Sequence, residues 1–310
     1  MRPSIVRPMT RKLAFLLLIT ILLNPACGDS NGPGRGDPIP DGVAIFDEYP
    51  VWSEVHDLIA YAHLKPPDST GADTLGIYVI KPDGSERRMI YQYGDIFVSG
   101  LDWSKDGNWL VTNAGRMIVI IAFTTGQADT LTSPGDFWDP AFSHDGNSIA
   151  FVKKEGEGRG IYIRSIDGSH TRPVIPYGHF VNWPYPDSLV YLNFDSLLLP
   201  IGAICIADTT GNFKRVLYQP GENIIYATPT PKMHAVSGRL VYYGQEVGIL
   251  AGSIWAIEAG SDSVRRLRSF AIHPCFSPDG NKIVFTDIHK ENGNLWLINW
   301  EGGGLIQLTD

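Results

Sequence analysis

The sequence is poor in several features that define familiar protein classes. It has three cysteines in 310 residues, too few for a scaffold held together by disulfides. After residue 42, no window of about ten residues has the apolar spacing of an amphipathic helix, which excludes a helical bundle. Acidic residues outnumber basic ones by 33 to 25, giving a net charge of −8. An acidic chain argues against nucleic acid as a partner.

Turn-forming and aromatic residues are, by contrast, abundant. The chain holds 33 Gly and 22 Pro, and 11% of its residues are aromatic. Glycine and proline favour turns, and aromatic rings pack well on the pleated surface of a sheet. This composition indicates a globular protein rich in β structure.

Residues 1–26 have the pattern of an export signal. Four basic residues and no acidic one lie in this segment, and its residues 13–23 are apolar except for Thr20. An apolar stretch of this length is shorter than the ~20 residues that a membrane-spanning helix needs, but it suits a signal peptide. Without residues 1–26 the chain has 21 basic and 33 acidic residues, a net charge of −12.

The cysteine that follows this segment points to a lipid anchor. Ala26-Cys27 resembles the lipobox of bacterial lipoproteins, with Asn24 and Pro25 in place of the usual aliphatic and small residues. In that family the cysteine becomes the N-terminus and carries lipid, so we predict Cys27 as the lipid-attachment site. An ordinary cleaved signal peptide is the alternative. We expect the protein to be lipid-anchored in the bacterial cell envelope, facing the periplasm or the outer membrane.

A flexible tether is predicted between this anchor and the folded part. Residues 28–42 contain five Gly and three Pro and few apolar residues, a composition that cannot form a core. The predicted organisation is therefore a signal peptide over residues 1–26, a tether over 27–42 and one folded domain over 43–310.

The domain repeats one unit six times. Its most regular part is an alternating apolar strand, followed at a fixed offset by glycine in five of the six copies. Three further short strands keep step with this strand in the copies. Spacings of 42, 42, 43, 50 and 41 residues separate the strand starts, which are Ile77, Val119, Ile161, Ile204, Ile254 and Leu295.

Six units of four strands predict an all-β fold, a six-bladed β-propeller with four-stranded blades. A period of about 40–50 residues with four strands is typical of a propeller blade. A single blade cannot bury both of its faces, so neighbouring blades pack on each other around a ring. The last unit contains its own fourth strand, and the apolar residues 43–46 are expected to pair at the closing blade or to cover an outer edge.

The repeat resembles a known family. Ser277-Pro-Asp-Gly-Asn-Lys-Ile-Val-Phe-Thr286, followed by an Ile-Tyr-Val-type strand, an Asp-Gly turn and a Leu-Thr ending, is similar to the TolB-type propeller repeat. The resemblance covers roughly residues 50–309 and implies six blades. It is limited to the propeller, so the role of TolB in the Tol–Pal system is not implied. Similar repeats form the gating propeller of some serine peptidases, and their hydrolase activity is not implied either.

The first strand of each blade is expected to line the central channel. Five polar residues lie in or just before these strands and are predicted to face the channel: Asp102, Asp139, His179, Asn182 and His273. One interpretation is a polar or metal-binding site, and the other is a hydrated channel wall. Cys205 and Cys275 belong to blades two apart and are expected to be buried free thiols. We predict no metal site and no cofactor.

Long loops between second and third strands are the second candidate site. Three such loops occupy the same place in the repeat and should meet at one rim of the disc. Their apolar residues are candidate partner contacts: Leu197, Leu198, Leu199, Ile249 and Leu250.

These observations favour a binding protein over an enzyme. With no catalytic constellation in the sequence, we predict a monomeric, membrane-tethered scaffold that binds an envelope protein or peptide without catalysis. Two alternatives remain open. One is a lyase or hydrolase that acts on glycans or peptides in the channel funnel, and the other is a binder of glycans or small molecules.

Overall fold

Second and third strands carry nearly continuous apolar runs, and fourth strands are polar. Ile-Ala-Tyr-Ala-His and Gly-Ile-Tyr-Val-Ile are buried at every residue, whereas the Ala-Asp-Thr of a fourth strand is exposed throughout. A strand that is apolar on both sides needs a cover on each face of its sheet. The second and third strands of each sheet are therefore buried between two other sheets, and the fourth strand forms its exposed outer edge.

In this computed structural model the sheets form a six-bladed β-propeller, which confirms the predicted fold class. The structure describes residues 46–64, 75–92, 98–154, 157–193, 202–219, 224–227, 231–246, 252–258, 260–261, 263–289 and 293–310. Every secondary-structure element among them is a β-strand. No helix in these ranges has the length and apolarity that crossing a membrane requires.

The blades follow one another along the chain. Blade 1 comprises β1 (Asp47–Trp52), β2 (Ile59–His63), β3 (Gly76–Ile80) and β4 (Arg88–Gln92). Blade 2 comprises β5 (Leu101–Trp103), β6 (Trp109–Ala114), β7 (Met117–Ala122) and β8 (Ala128–Thr130). Blade 3 comprises β9 (Phe137–Phe142), β10 (Ser148–Lys153), β11 (Gly160–Ser165) and β12 (Thr171–Pro176).

The remaining blades keep this order, with one irregularity. Blade 4 comprises β13 (Gly178–Tyr185), β14 (Ser188–Asn193), β15 (Ile204–Asp208) and β16 (Phe213–Tyr218). Blade 5 comprises β17 (Ile224–Ala227), β18 (Lys232–Met233), β19 (Leu240–Glu246), β20 (Ser253–Ile257) and β21 (Val264–Ser269). Blade 6 comprises β22 (Ala271–Phe276), β23 (Lys282–Asp287), β24 (Asn294–Asn299) and β25 (Ile306–Gln307). In blade 5 the innermost strand is split, since β17 and β18 both pair with β19.

The hydrophobic core is divided among the gaps between blades. Buried clusters join blades 1 and 2, 2 and 3, 3 and 4, 4 and 5, 5 and 6, and 6 and 1. In the last of these, Ile59 and Tyr61 of blade 1 meet Val284 and Leu297 of blade 6, all at most 1% exposed. Because each blade contributes to two clusters, burial of apolar surface drives the ring to close.

The ring closes without exchange of strands between its ends. Blade 6 is built wholly from C-terminal strands, as expected. Phe46 pairs with Gly293 of blade 6 in a parallel bridge, so this end of the apolar segment 43–46 does lie at the closing blade. The Asp47 amide donates to the Gly293 carbonyl oxygen at 3.0 Å, and the Thr286 hydroxyl donates to the Asp47 carbonyl oxygen at 2.7 Å. These hydrogen bonds tie the two chain ends of the propeller together.

The turn between first and second strands has one design in blades 2, 3 and 6. In blade 2, the Asp106 carboxylate accepts from the Ser104 hydroxyl at 2.6 Å and from the Asn108 amide at 3.0 Å. Gly107 takes the positive φ of 73° that the turn requires. Blades 3 and 6 repeat these bonds around Asp145 and Asp279. The Asp of this motif therefore shapes a turn.

Candidate functional site

Six equivalent side chains line a funnel at one end of the channel, the end that carries the turns between first and second strands. The register of the first strands makes these residues equivalent, and each precedes the turn of its blade. The funnel has a volume of about 180 Å³. Its wall contains one large apolar side chain from each blade: Trp52, Trp103, Phe142, Trp183, Met233 and Phe276.

The six side chains differ in what they offer to a ligand. Trp103, Phe142 and Phe276 are between 4% and 7% exposed and act mainly as wedges between blades. Trp52, Trp183 and Met233 are half-buried and keep accessible surface. Blades 1 and 4 stand opposite each other in a ring of six, so the strands that carry Trp52 and Trp183 lie on opposite sides of the funnel. Partly exposed aromatic side chains in a concave site are typical anchors for binding.

The residue just before each funnel-wall residue occupies what we call the inter-blade position. Three of these six residues bond to a neighbouring blade. The Asp102 carboxylate accepts a hydrogen bond from the Phe142 amide of blade 3 at 2.9 Å, and the Asn182 side-chain oxygen accepts one from the Met233 amide of blade 5 at 3.1 Å. Cys275 interacts in the same way with the backbone of Trp52 in blade 1. Hydrogen-bond acceptors therefore occupy the inter-blade position in blades 2, 4 and 6. In the other three blades this position holds Val51, Ala141 and Lys232.

Deeper in the channel the six strands enclose a second, much smaller space, here called the central cavity. Its volume of about 20 Å³ holds a single water molecule. Tyr49 and His273 stack across it with ring centroids 3.9 Å apart. Gly100 stands where other blades carry a side chain, and a Cβ there would lie 2.9 Å from the Cα of Asp139. The channel is thus closed at this level.

At the level of the central cavity, four first strands have an unusual backbone conformation. Tyr49, Asp139, Phe180 and His273 have positive φ angles of 50–53°, a region that non-glycine residues seldom adopt. Each lies where the pairing between first and second strands shifts register. Because four blades share this bulge, it belongs to the way the first strands bend toward the axis. The strain alone does not identify a catalytic centre.

Burial shifts the pKa values of three side chains at this level of the channel. It raises the pKa of the Asp139 carboxyl to about 8, although the positive charges of Lys154 and Lys232 oppose the rise. It also lowers the pKa of His273 to about 3. Burial and the nearby Asp47 carboxylate raise the pKa of Glu48 to about 7. Asp139 and His273 are therefore both uncharged at neutral pH.

The five predicted polar residues are distributed among different environments. Asp139 and His273 line the central cavity, whereas Asp102 and Asn182 line the funnel. His179 belongs to neither set of lining residues. It lies near the start of β13, where burial and the charges of Lys154 and Arg159 lower its pKa to about 4. Across the described ranges, no three His, Cys, Asp or Glu side chains are grouped so as to hold a metal ion.

Other predicted residues are either placed differently or not described. Cys205 is a buried free thiol, as expected, and Cys275 is a free thiol that is only half-buried because it lines the funnel. Cys27 lies outside the described residues. So do the five rim-loop residues, which are Leu197, Leu198, Leu199, Ile249 and Leu250.

Sequence reasoning missed Lys232, Tyr49 and the funnel wall. Lys232 lines both the funnel and the central cavity, and its charge acts on Asp102 and Asp139. It follows Pro231 in the fifth repeat, where the motif is weakest. The wall could have been found, because a large apolar residue stands at the same offset before the turn in all six copies.

Comparison with known proteins identifies relatives only by shape. No protein-family model matches this chain, and no curated protein matches it. TolB from Acinetobacter baumannii is similar with a TM-score of 0.67 and 17% identity, over 83% of this chain and 65% of that protein. This chain therefore spans less than two thirds of that TolB.

Two further structures extend the comparison. TolB from Agrobacterium tumefaciens has a TM-score of 0.58 and 21% identity, over 73% of this chain and 84% of that one. An oligogalacturonate lyase solved with manganese has a TM-score of 0.54 and 11% identity, over 85% and 77% of the two chains. At such identities the likeness shows the fold alone: this chain carries a β-propeller of the architecture found in TolB.

Proposed function

We propose that this protein is a lipid-anchored bacterial envelope protein whose propeller binds another envelope protein or a peptide at the funnel, without catalysing a reaction. The observation that carries the proposal is the pair of half-buried tryptophans, Trp52 and Trp183, on opposite sides of the funnel. An apolar or aromatic side chain of a partner inserted between them loses water contact on both sides. Such central, desolvated aromatic contacts dominate the energy of protein interfaces.

The polar groups of the channel favour binding over chemistry. Asp102, Asn182 and Cys275 hold neighbouring blades together and so serve the scaffold. The central cavity beneath them has room for one water molecule, so a ligand in the funnel meets a closed floor. A site with an apolar wall and a closed floor suits the end of a peptide or a protruding loop.

The test is capture of envelope proteins by the full-length chain from detergent-solubilised membranes. We expect the double variant Trp52→Ala/Trp183→Ala to capture about tenfold less envelope protein than the wild type. Phe213→Ala, which changes a 48% exposed aromatic residue on the outer strand β16, is the matched control and should behave like the wild type. Equal capture by the double variant, or no capture above residues 1–42 alone, would overturn the proposal.

The anchor is tested separately. Cys27→Ser should move the protein from the membrane pellet to the soluble fraction and remove incorporated fatty acid, because the acyl chains supply most of the membrane affinity. Retention in the pellet with no fatty acid label would show that something other than a lipid on Cys27 holds the protein there. The funnel experiment would still stand in that case.

Catalysis in the channel is a second candidate, favoured by one observation. Asp139 and Glu48 have pKa values raised by burial to about 8 and about 7, and carboxyl groups that titrate near neutrality suit general acid–base chemistry. The oligogalacturonate lyase shares the fold. Formation of unsaturated uronates from polygalacturonate by the wild type, and its loss in Asp139→Asn, would support this candidate. Absence of product would count against this candidate.

A further inference from the structure

The groove between blades 2 and 3 differs in size and in lining residues from the equivalent groove between blades 3 and 4. The blade 2–3 groove has a volume of about 660 Å³ and contains Trp109, Ile120 and Asp129. The corresponding blade 3–4 groove has a volume of about 320 Å³ and contains Ser148, Ile163 and Arg172. Both grooves lie beside the turns between first and second strands, and Trp183 of the funnel wall also lines the blade 3–4 groove.

Backbone hydrogen bonds make the residues of the two grooves equivalent. The carbonyl oxygens of Trp109 and Ser148 accept from the amides of Ser104 and Ser143, at 2.9 and 2.8 Å, in the same turn. Asp129 pairs with Ile120 in blade 2 as Arg172 pairs with Ile163 in blade 3. Between the two grooves a serine is thus replaced by tryptophan, and an arginine by aspartate.

The replacement changes how each groove is filled. The Arg172 guanidinium donates a hydrogen bond to the Thr209 carbonyl oxygen of blade 4 at 2.6 Å, so its charge is satisfied within the chain. Trp109 is 37% exposed, more than any other of the eight tryptophans. Its indole ring forms part of the surface of the blade 2–3 groove.

Other tryptophans of this protein are covered by cations of the same chain. Lys154 lies 3.6 Å from the ring centroid of Trp138, and Arg239 and Arg265 lie 4.6 and 4.8 Å from that of Trp300. No lysine or arginine in the described part of the chain covers Trp109 in this way. A tryptophan face attracts a cation, so Trp109 presents an unfilled site of the kind that the chain fills elsewhere.

The charges around Trp109 select the same chemistry. Asp106, Asp129 and Asp145 border the groove, and the one lysine on its edge, Lys105, forms an ion pair with Glu54. Hydrogen bonds from the neighbouring serine hydroxyls hold the pKa of Asp106 and of Asp145 below the usual value, so both stay ionised. The groove therefore combines an aromatic face with an acidic border.

We propose that the blade 2–3 groove is a second docking site, which takes a lysine or arginine side chain of a partner protein against the ring of Trp109. The carboxylates around it pair with that cation, and Ile120 and Leu131 contact its aliphatic stem. This site adjoins the funnel, with which it shares the lining residues Lys105 and His144, and it does not depend on the function proposed there.

The probe is N-acetyl-tetra-arginine amide, titrated into the full-length chain in an uncharged detergent at low salt. We expect saturable binding that weakens as sodium chloride is raised, since salt screens the carboxylates. Tetra-citrulline amide, which is neutral, should bind at least threefold more weakly. Trp109→Ser and Asp129→Asn should each weaken tetra-arginine binding at least threefold. Ser148→Ala in the blade 3–4 groove is the matched control and should bind like the wild type.

Several results would overturn this proposal. One is tetra-arginine binding that Trp109→Ser and Asp129→Asn both leave unchanged, and another is no binding at low salt. A third is binding of N-acetylchitotriose, lost in Trp109→Ser, without binding of tetra-arginine, which would make the groove a glycan site. Thermal unfolding of each variant shows whether the fold is intact. The double variant Trp52→Ala/Trp183→Ala should bind tetra-arginine normally, which separates failure here from failure of the funnel proposal.

Discussion

The funnel and the central cavity are built by the same six first strands, yet they differ in almost every respect. The funnel has a volume of about 180 Å³ and a wall of large apolar side chains. The central cavity, three residues earlier in the strands, has a volume of about 20 Å³ and is lined by Tyr49, Asp139 and His273. Burial leaves Asp139 and His273 without charge at neutral pH.

This difference shows how a propeller separates recognition from structure. The first strands leave the least room where they come closest to the axis. At that level the side chains of Tyr49 and His273 are enough to close the channel. Where the strands end and turn outward, the space widens and side chains remain accessible. A ligand therefore meets the apolar wall first, and the central cavity acts as its floor.

The largest expected effect concerns the charge of the central cavity. Burial raises the pKa of Asp139 from its ordinary value of 3.8 to about 8, so the stabilising protonation is fully present below pH 3.8 and is lost as the pH rises through 8. As the pH rises through this range, the free energy of unfolding of Asp139→Asn should increase relative to that of the wild type by up to about 1.4 kcal/mol per pH unit. Urea unfolding at pH 5 and pH 8 should therefore show a relative gain of roughly 4 kcal/mol.

Asp57→Asn is the control for this experiment, because it makes the same substitution at an exposed carboxylate of the propeller. It should leave the pH dependence of unfolding as it is in the wild type. If Asp139→Asn also leaves it unchanged, then Asp139 is hydrated and the contrast between the two regions is smaller than the structure indicates.

The next effect concerns space. Gly100→Ala places a methyl group 2.9 Å from the Cα of Asp139 and 3.2 Å from the ring of Pro140, in a region without room to relax. We expect a loss of about 2 kcal/mol in the free energy of unfolding. Gly303→Ala is the matched control, because its Cβ meets no atom within 4 Å. Equal stability of the two variants would mean that the first strands move apart easily.

The smallest effect concerns the hydrogen bonds between blades at the funnel wall. Asp102→Ala leaves the Phe142 amide without its acceptor, whereas Asp102→Asn keeps a side-chain oxygen in place. We expect the alanine variant to be about 1 kcal/mol less stable than the asparagine variant, the contribution of one such bond. Chemical denaturation measures the difference. A more stable alanine variant would show that the bond does not offset the cost of burying the side chain.

Much of the site was within reach of the sequence, and the rest was not. Asp102 and Asn182 were predicted to face the channel because they lie in first strands, and they do line the funnel. That they hold neighbouring blades together was not visible, because their partners Phe142 and Met233 belong to the next repeat. His179 has a similar place in its repeat to Asp139, yet it lies beside Lys154 and Arg159 and outside both spaces.

Lys232 and Trp109 show two other limits. Lys232 lies in a repeat whose motif is so altered that its register could not be assigned, and only the pairing of β18 with β19 places it on the axis. Trp109 is the first residue of β6, the second strand of blade 2. Its exposure follows from the shape of the neighbouring groove, which depends on how blade 3 packs against blade 2.

The sequence by itself determined that this protein is a ring of six four-stranded blades, because apolar alternation and turn residues act over a few neighbouring positions and recur in every unit. The tertiary structure alone decided what that ring presents to other molecules. The funnel, the central cavity and the blade 2–3 groove each combine residues from different blades, and these residues meet only when burial between blades has closed the ring.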